Sequence, residues 1–158
     1  MDILFKTDKS TFIFRVAGIL IKDGYILLHK DINDDFWSLP GGKVNIAEES
    51  QLSIQREFLE ELGVNVKVDR LIWTVENFFN YNSNAYHEIG LYYKVSSDDS
   101  LFTTESFNGI EGERLIYKWT PIEELDNLAL YPEFLKAELK SIPVHPKHIV
   151  VKQYITKT

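Results

Sequence analysis

From Gly42 to Val64 the chain carries a pattern that restricts its architecture more than any other stretch. Its polar and glycine positions reduce to G-x5-E-x7-R-E-U-x-E-E-x-G-U, where U is bulky and apolar. They are filled by Gly42, Glu48, Arg56, Glu57, Glu60, Glu61 and Gly63, with Phe58 and Val64 at the apolar places. Seven specified residues at fixed spacing arise by chance on the order of once per billion positions. A helix advances about 100° per residue, so Glu57, Glu60 and Glu61 share an arc of roughly 100°. Leu52, Ile54, Phe58, Leu59 and Leu62 fall on the opposite arc, which is expected to bury against a sheet. Gly63 stands where a helix C-cap turns left-handed, so the helix is expected to end at Leu62.

Three carboxylates at i, i+3 and i+4 repel one another and weaken a bare helix. A hard divalent cation removes that repulsion, and magnesium takes oxygen ligands shared with substrate phosphates. Before the helix, Trp37-Ser38-Leu39-Pro40-Gly41-Gly42 is a turn-rich run that lets backbone approach a ligand, with left-handed glycine conformations expected there. Arg56 is spaced to pair with Glu60 at i+4. Glu48 lies off the acid face and reads first as a first-turn or capping acid that fixes the preceding loop, and only secondarily as a metal ligand.

The motif resembles the signature of the Nudix hydrolases. That resemblance implies magnesium-dependent attack of water on a nucleoside diphosphate linked to another group, with manganese as a substitute. It implies metal ligation by Glu57, Glu60, Glu61 and the Gly41 carbonyl. It also implies an α+β fold, a mixed β-sheet sandwiched between helices. One departure is Ala47, where the family often has glycine. An acidic helix face is ordinarily just solvated surface; here Gly42, Arg56, Gly63 and the Leu-Pro-Gly-Gly approach all fall in register with it.

At 158 residues the chain is expected to form a single domain over 1–158, with the resemblance covering about 12–140. It has no cysteine, which excludes disulfides and suits a reducing cytoplasm. Asp2 and Lys6-Thr7-Asp8-Lys9 interrupt any opening apolar signal. The longest apolar run, Val16 to Ile21, is too short to cross a bilayer. A net charge of -7 disfavours nucleic-acid polymers. It does not disfavour a small nucleotide, because bound magnesium reverses the local sign. The sequence leaves the oligomer open, a homodimer included.

Phe12 to Ile21 and Tyr25 to Lys30 read as strands joined by a Lys22-Asp23-Gly24 turn. Asn65 to Phe79 and Tyr86 to Val95 are β-rich around an Asn80 to Asn84 turn. Ser96 to Ser106 is a polar loop, and Arg114 to Trp119 is another strand. Pro121 to Leu125 starts a helix, Pro132 to Ser141 reads as a final helix, and His148 to Ile155 as a late strand or extended tail.

Attack by water needs a base or an orienting acceptor. In the family this comes from the motif itself or from a loop acid before a strand ending in tryptophan. Glu111 and Glu113 precede such a strand, and Glu113 has the more suitable spacing. Arg15 offers a cation for a phosphate, or a partner for an acid. His87 and Glu88 could reach the same cleft, although His87 reads foremost as a sheet residue. Phe79 and Tyr81, near the 80s turn, are candidates for stacking on a base. Family subgroups add a weak hint: a tyrosine near position 81 marks diadenosine polyphosphate hydrolases. A proline at 79 or 80 marks ADP-ribose enzymes, and here those residues are Phe79 and Asn80.

The reading is a metal-dependent pyrophosphohydrolase of a small nucleoside diphosphate derivative, with Arg56, Glu57, Glu60, Glu61 and Glu113 catalytic and Arg15, Phe79 and Tyr81 binding substrate. The alternatives are a triphosphate-sanitising pyrophosphatase and a non-catalytic nucleotide sensor. A pure binder has no need of all three motif glutamates.

Overall fold

The computed structural model of the protein describes residues 1–153. Nine strands and three helical segments lie among them. The strands are β1 (Leu4–Lys6), β2 (Ser10–Lys22), β3 (Tyr25–Asp31), β4 (Gly41–Lys43), β5 (Lys67–Tyr81), β6 (Asn84–Ser96), β7 (Phe107–Asn108), β8 (Leu115–Pro121) and β9 (Lys147–Gln153). Helix α1 (Ser50–Leu62) carries the acidic motif, a 3₁₀ helix covers Ile122–Asn127, and α2 is Leu135–Glu138. The expected α+β fold with a mixed sheet is therefore the one observed.

The long strand β2 organises the sheet. One of its edges pairs in parallel with β6 from Ser10↔Ala85 to Leu20↔Val95. The other edge is shared in series by β1, then β4, then β3. The Asp23-Gly24 turn has positive φ at both residues, as the hairpin reading requires. Yet β2 and β3 pair only at Ile21↔Ile26 and Lys22↔Tyr25. Beyond that point β4 takes the β2 edge, and β3 leaves to pair with β8. The chain between β3 and β4 fills the fork, and the cleft described below opens there.

Two cores flank the sheet. Ile54, Phe58 and Leu62 of α1 pack with Val16, Val95 and Trp119 on one side. On the other, Ile19 and Trp73 pack with Leu125, Leu135 and Leu139. Gly18 makes room for the first core, since a Cβ there would lie 2.5 Å from the Phe58 ring. Truncating such a fully buried phenylalanine to alanine costs about 3–5 kcal/mol. The helix buries a narrower stripe than its apolar residues suggested, because Leu52 and Leu59 are about half exposed. They lie on the outward side, while Ser53, Glu57 and Glu61 occupy the flank that faces the sheet.

Gly63 ends α1 at φ 67° and donates back to the Leu59 carbonyl, as expected. The expected helix over Pro132–Ser141 is α2, only four residues long with turns on either side. Its backbone bonds are mostly i+3, as in Leu135 to Pro132 and Lys136 to Glu133. Tertiary burial of Leu135 and Leu139 shapes this segment more than helix propensity does. The start at Pro121 leads into a 3₁₀ helix. Residues 1–11, which the sequence left unassigned, supply β1. The late strand runs parallel to β5 as far as Gln153; positions 154 and 155 of that expectation lie outside the described residues.

Candidate active site

The acid cluster forms where α1 crosses the β2–β4 junction. Glu57 and Glu61, one turn apart, both face inward, and Glu61 is 8% exposed. Burial, and then the neighbouring Glu57 charge, push the Glu61 carboxyl up to about 7. The Tyr117 hydroxyl partly offsets this by donating to Glu61 Oε2 at 2.8 Å. Burial likewise raises Glu57, against the pull of Arg56. Glu60 sits on the rim, half exposed, and pairs with Arg56 at 3.2 Å.

Gly41 and Gly42 are needed for a different reason from the one expected. Neither is left-handed; both are strand residues. A Cβ on Gly42 would lie 2.3–2.5 Å from the Glu57 carboxyl. A Cβ on Gly41 would lie 2.0 Å from the Val16 carbonyl oxygen. The glycines therefore let the acid helix and β2 close on β4. Left-handed geometry appears instead at Ala47, φ 65°, the position that departs from the family's usual glycine.

Arg56 does more than pair with Glu60. Its Nε donates to Glu48 at 2.7 Å, Nη1 to Glu57 at 3.0 Å, and Nη2 to the Lys43 carbonyl at 3.2 Å. Glu48 also accepts from the Asn45 amide at 3.2 Å. It precedes the helix and ties the 45–48 loop to Arg56, which matches the loop-fixing role read from the sequence. The Arg56 guanidinium holds the Glu48 carboxyl down at about 2.

The donor set suits a hard cation: two inward carboxylates crowd each other and a third stands on the rim. Among the described residues no group of three acidic, histidine or cysteine side chains is arranged to enclose an ion, and Glu60, on the rim, pairs with Arg56. Glu57 and Glu61 are the ready pair.

The two loop acids part company. Both loop acids are exposed, but Glu111 lines the cleft beside Glu61 and Tyr117, whereas Glu113 is absent from its lining. The Glu113 carbonyl accepts from Asn108 Nδ2 at 3.4 Å. Gly112, at φ 133°, lies between the two acids. The structure thus separates Glu113 from the cleft that its spacing had suggested it would serve.

The cleft encloses about 1100 Å³ and reaches from the acids to the far end of the sheet. Arg15 lines it, and its Nη2 donates to the Leu39 carbonyl at 3.2 Å. Phe79 stacks on Tyr86 with centroids 5.1 Å apart. The Tyr81 hydroxyl donates to Asp34 at 3.0 Å, and its ring meets Phe36 edge-on. All of these line the cleft, as does Tyr131. Phe36, Tyr131, Tyr117 and Asp34 were not anticipated; only long-range contacts bring them here. His29, also in the cleft wall, is kept neutral by burial and then by Arg15, which lower it to about 3. His87 lies on the opposite sheet face between Phe78 and Phe12, the structural role expected of it.

Comparison with known proteins follows the same lines. The NUDIX domain model matches residues 12–141. Over 114 residues the chain is 30% identical to the 8-oxo-dGTP diphosphatase of Buchnera aphidicola, covering 70% of this chain and 78% of that one. It is 22% identical over 158 residues to an RNA pyrophosphohydrolase of Ruthia magnifica, 88% of each. By contrast it spans 41% of the length of a MutT-like protein of Streptomyces ambofaciens, 35% identical over 63 residues. Among solved structures, a NUDIX hydrolase from Nitrosomonas europaea superposes with a TM-score of 0.63 at 20% identity, covering 93% of this chain and 82% of that one. No helix among the described residues is long and apolar enough to cross a membrane.

Proposed function

The chain belongs to the NUDIX family, and from that premise we propose that it hydrolyses a phosphoric anhydride bond in a small nucleoside diphosphate derivative, with magnesium as cofactor. The observation that carries this reading is the Glu57–Glu61 pair, crowded and inward-facing beneath Gly42 at one end of a nucleotide-sized cleft. Bound magnesium, held by Glu57, Glu61, Glu60 and the Gly41 carbonyl, would neutralise the diphosphate and acidify a water.

The chain's own groups have separate tasks. Arg56 orients Glu57 and Glu60 and is itself fixed by Glu48. Tyr117 holds Glu61. Glu111, rather than Glu113, is the loop acid within the cleft and accepts a proton from the attacking water. Arg15 meets a phosphate oxygen, and Phe79 and Tyr81 offer faces for a base. A triphosphate-sanitising activity is a second reading, favoured by the likeness to the Buchnera enzyme. The absence of cysteine suits work in a reducing cytoplasm.

The test is a substrate panel with magnesium or manganese: nucleotide sugars, dinucleoside polyphosphates, nucleoside triphosphates and 5′-triphosphate RNA. Products are read by phosphate release after phosphatase treatment. Metal-dependent cleavage of small diphosphates is expected. Cleavage of RNA alone, or cleavage unaffected by chelation, would overturn the reading.

A further inference from the structure

Alternate residues of β2, β6 and β5 form rows across the floor of the cleft, roughly 6.7 Å apart. The first row holds Arg15 beside Gly90, next to the Gly42 junction. The second holds Glu88, opposite both Ile13 and Asn77. The third holds Tyr86 opposite Phe79. Two polar groups thus lie between the acid end and the aromatic end.

Asn77 and Glu88 are 5% and 6% exposed, and both line the cleft. Asn77 Oδ1 has no hydrogen-bond partner among the described residues. A buried acceptor left unmet is a cost that calls for an explanation. Burial raises the Glu88 carboxyl, while the Arg15 charge and the Asn77 amide draw it back. In either protonation state a carboxyl oxygen remains free to accept.

The order of rows matches the order of groups in a nucleotide. With the diphosphate beside Arg15 and a base over Phe79 and Tyr86, the sugar falls on Asn77 and Glu88. We propose that Asn77 and Glu88 form a recognition floor for the vicinal diol of a ribose, and so make the protein select ribonucleotides over 2′-deoxyribonucleotides. This rests on the diphosphate reading of the cleft. Two hydroxyl donors match two acceptors, and sites built to bind a substrate hydroxyl discriminate strongly against analogues that lack it.

The experiment is titration calorimetry of ADP, 2′-deoxy-ADP, GDP and 2′-deoxy-GDP with magnesium, on wild type, Glu88→Leu and Asn77→Ala, each of which removes one acceptor. Wild type is expected to bind each ribonucleotide about tenfold tighter or more than its deoxy partner. In each variant the ratio should fall to within about threefold, with deoxy affinity nearly unchanged. Thermal melts establish folding, and either variant decides alone if the other does not fold. Equal binding of ribo and deoxy forms by wild type overturns the proposal. So does a ratio that survives in the folded variants, selection that follows base rather than sugar, or no binding of any of the four. Turnover is scored separately. Cleavage of diphosphates without sugar preference would sink this inference and leave the hydrolase reading standing. Sugar-selective binding without cleavage would do the reverse.

Discussion

Replacing Glu61 by glutamine should move stability and activity in opposite directions. Its carboxyl is raised from 4.5 in the unfolded chain to about 7 in the folded one. A carboxyl raised in this way contributes its full stability below pH 4.5 and loses it as pH rises through 7. At about 1.4 kcal/mol per tenfold, the ceiling on that loss is about 3 kcal/mol. Because Glu57 and Glu61 titrate as a pair, roughly half that is the better expectation. Glutamine cannot ionise, yet its amide oxygen still accepts from Tyr117. In chelator at pH 8, Glu61→Gln should therefore melt about 3–6 °C above wild type, using about 2–4 °C per kcal/mol for a chain of this size. At pH 4.5 the gap should close. The neutral His29 also makes stability vary with pH, but equally in both chains, so the difference cancels it. Magnesium should stabilise wild type more at pH 8 than at pH 5 and the variant little at either. Turnover of the variant should fall by more than about a hundredfold, because a charged metal ligand is lost. A melting difference independent of pH, or near-wild-type turnover, would refute the reasoning.

Gly42→Ala should abolish most activity, because its Cβ needs the space that the Glu57 carboxyl occupies; an active variant with an unmoved Glu57 in a crystal structure would contradict this. Glu48→Gln should cost about 1–2 kcal/mol at pH 7. Its folded carboxyl is depressed from 4.5 to about 2, so in denaturant titrations that deficit should shrink as pH falls from 4.5 to 2. Glu111→Gln should lower kcat by about tenfold to a hundredfold and Glu113→Gln by less than about twofold, and steady-state kinetics giving the reverse order would restore Glu113. Ala47→Gly should stabilise the chain by up to about 1 kcal/mol, by relieving a left-handed alanine, read as a higher melting temperature.

What the sequence made legible was local. The period of α1, its stop at Gly63, the Asp23-Gly24 turn and the acid face all follow from residues within a few positions of one another. What it hid was set by contacts between distant elements. Nothing near Glu61 announces Tyr117, which meets it across 56 residues of chain. Spacing before the Trp119 strand favours Glu113, and only the folded loop directs Glu111 to the cleft instead. Leu52 and Leu59 count as apolar on a helical wheel, but α1 spends its sheet-facing flank on Ser53, Glu57 and Glu61. Asn77 looks like an ordinary polar strand residue until the register sets it beside Glu88 in the cleft.

The parallel seam between β2 and β6 also bears on the order of folding. Its partners lie about 75 residues apart, as Ser10 does from Ala85, whereas β5 and β6 meet across the tight Asn82-Ser83 turn. Closing the longer loop costs about 3 kcal/mol more chain entropy, so the β5–β6 hairpin should zip early and the seam late. The whole of α1 lies inside that late loop. Until the seam closes, β6 carries an unpaired edge open to other chains, and Asn77 and Glu88 have no Arg15 beside them. Cleft formation and protection from aggregation are therefore one kinetic event.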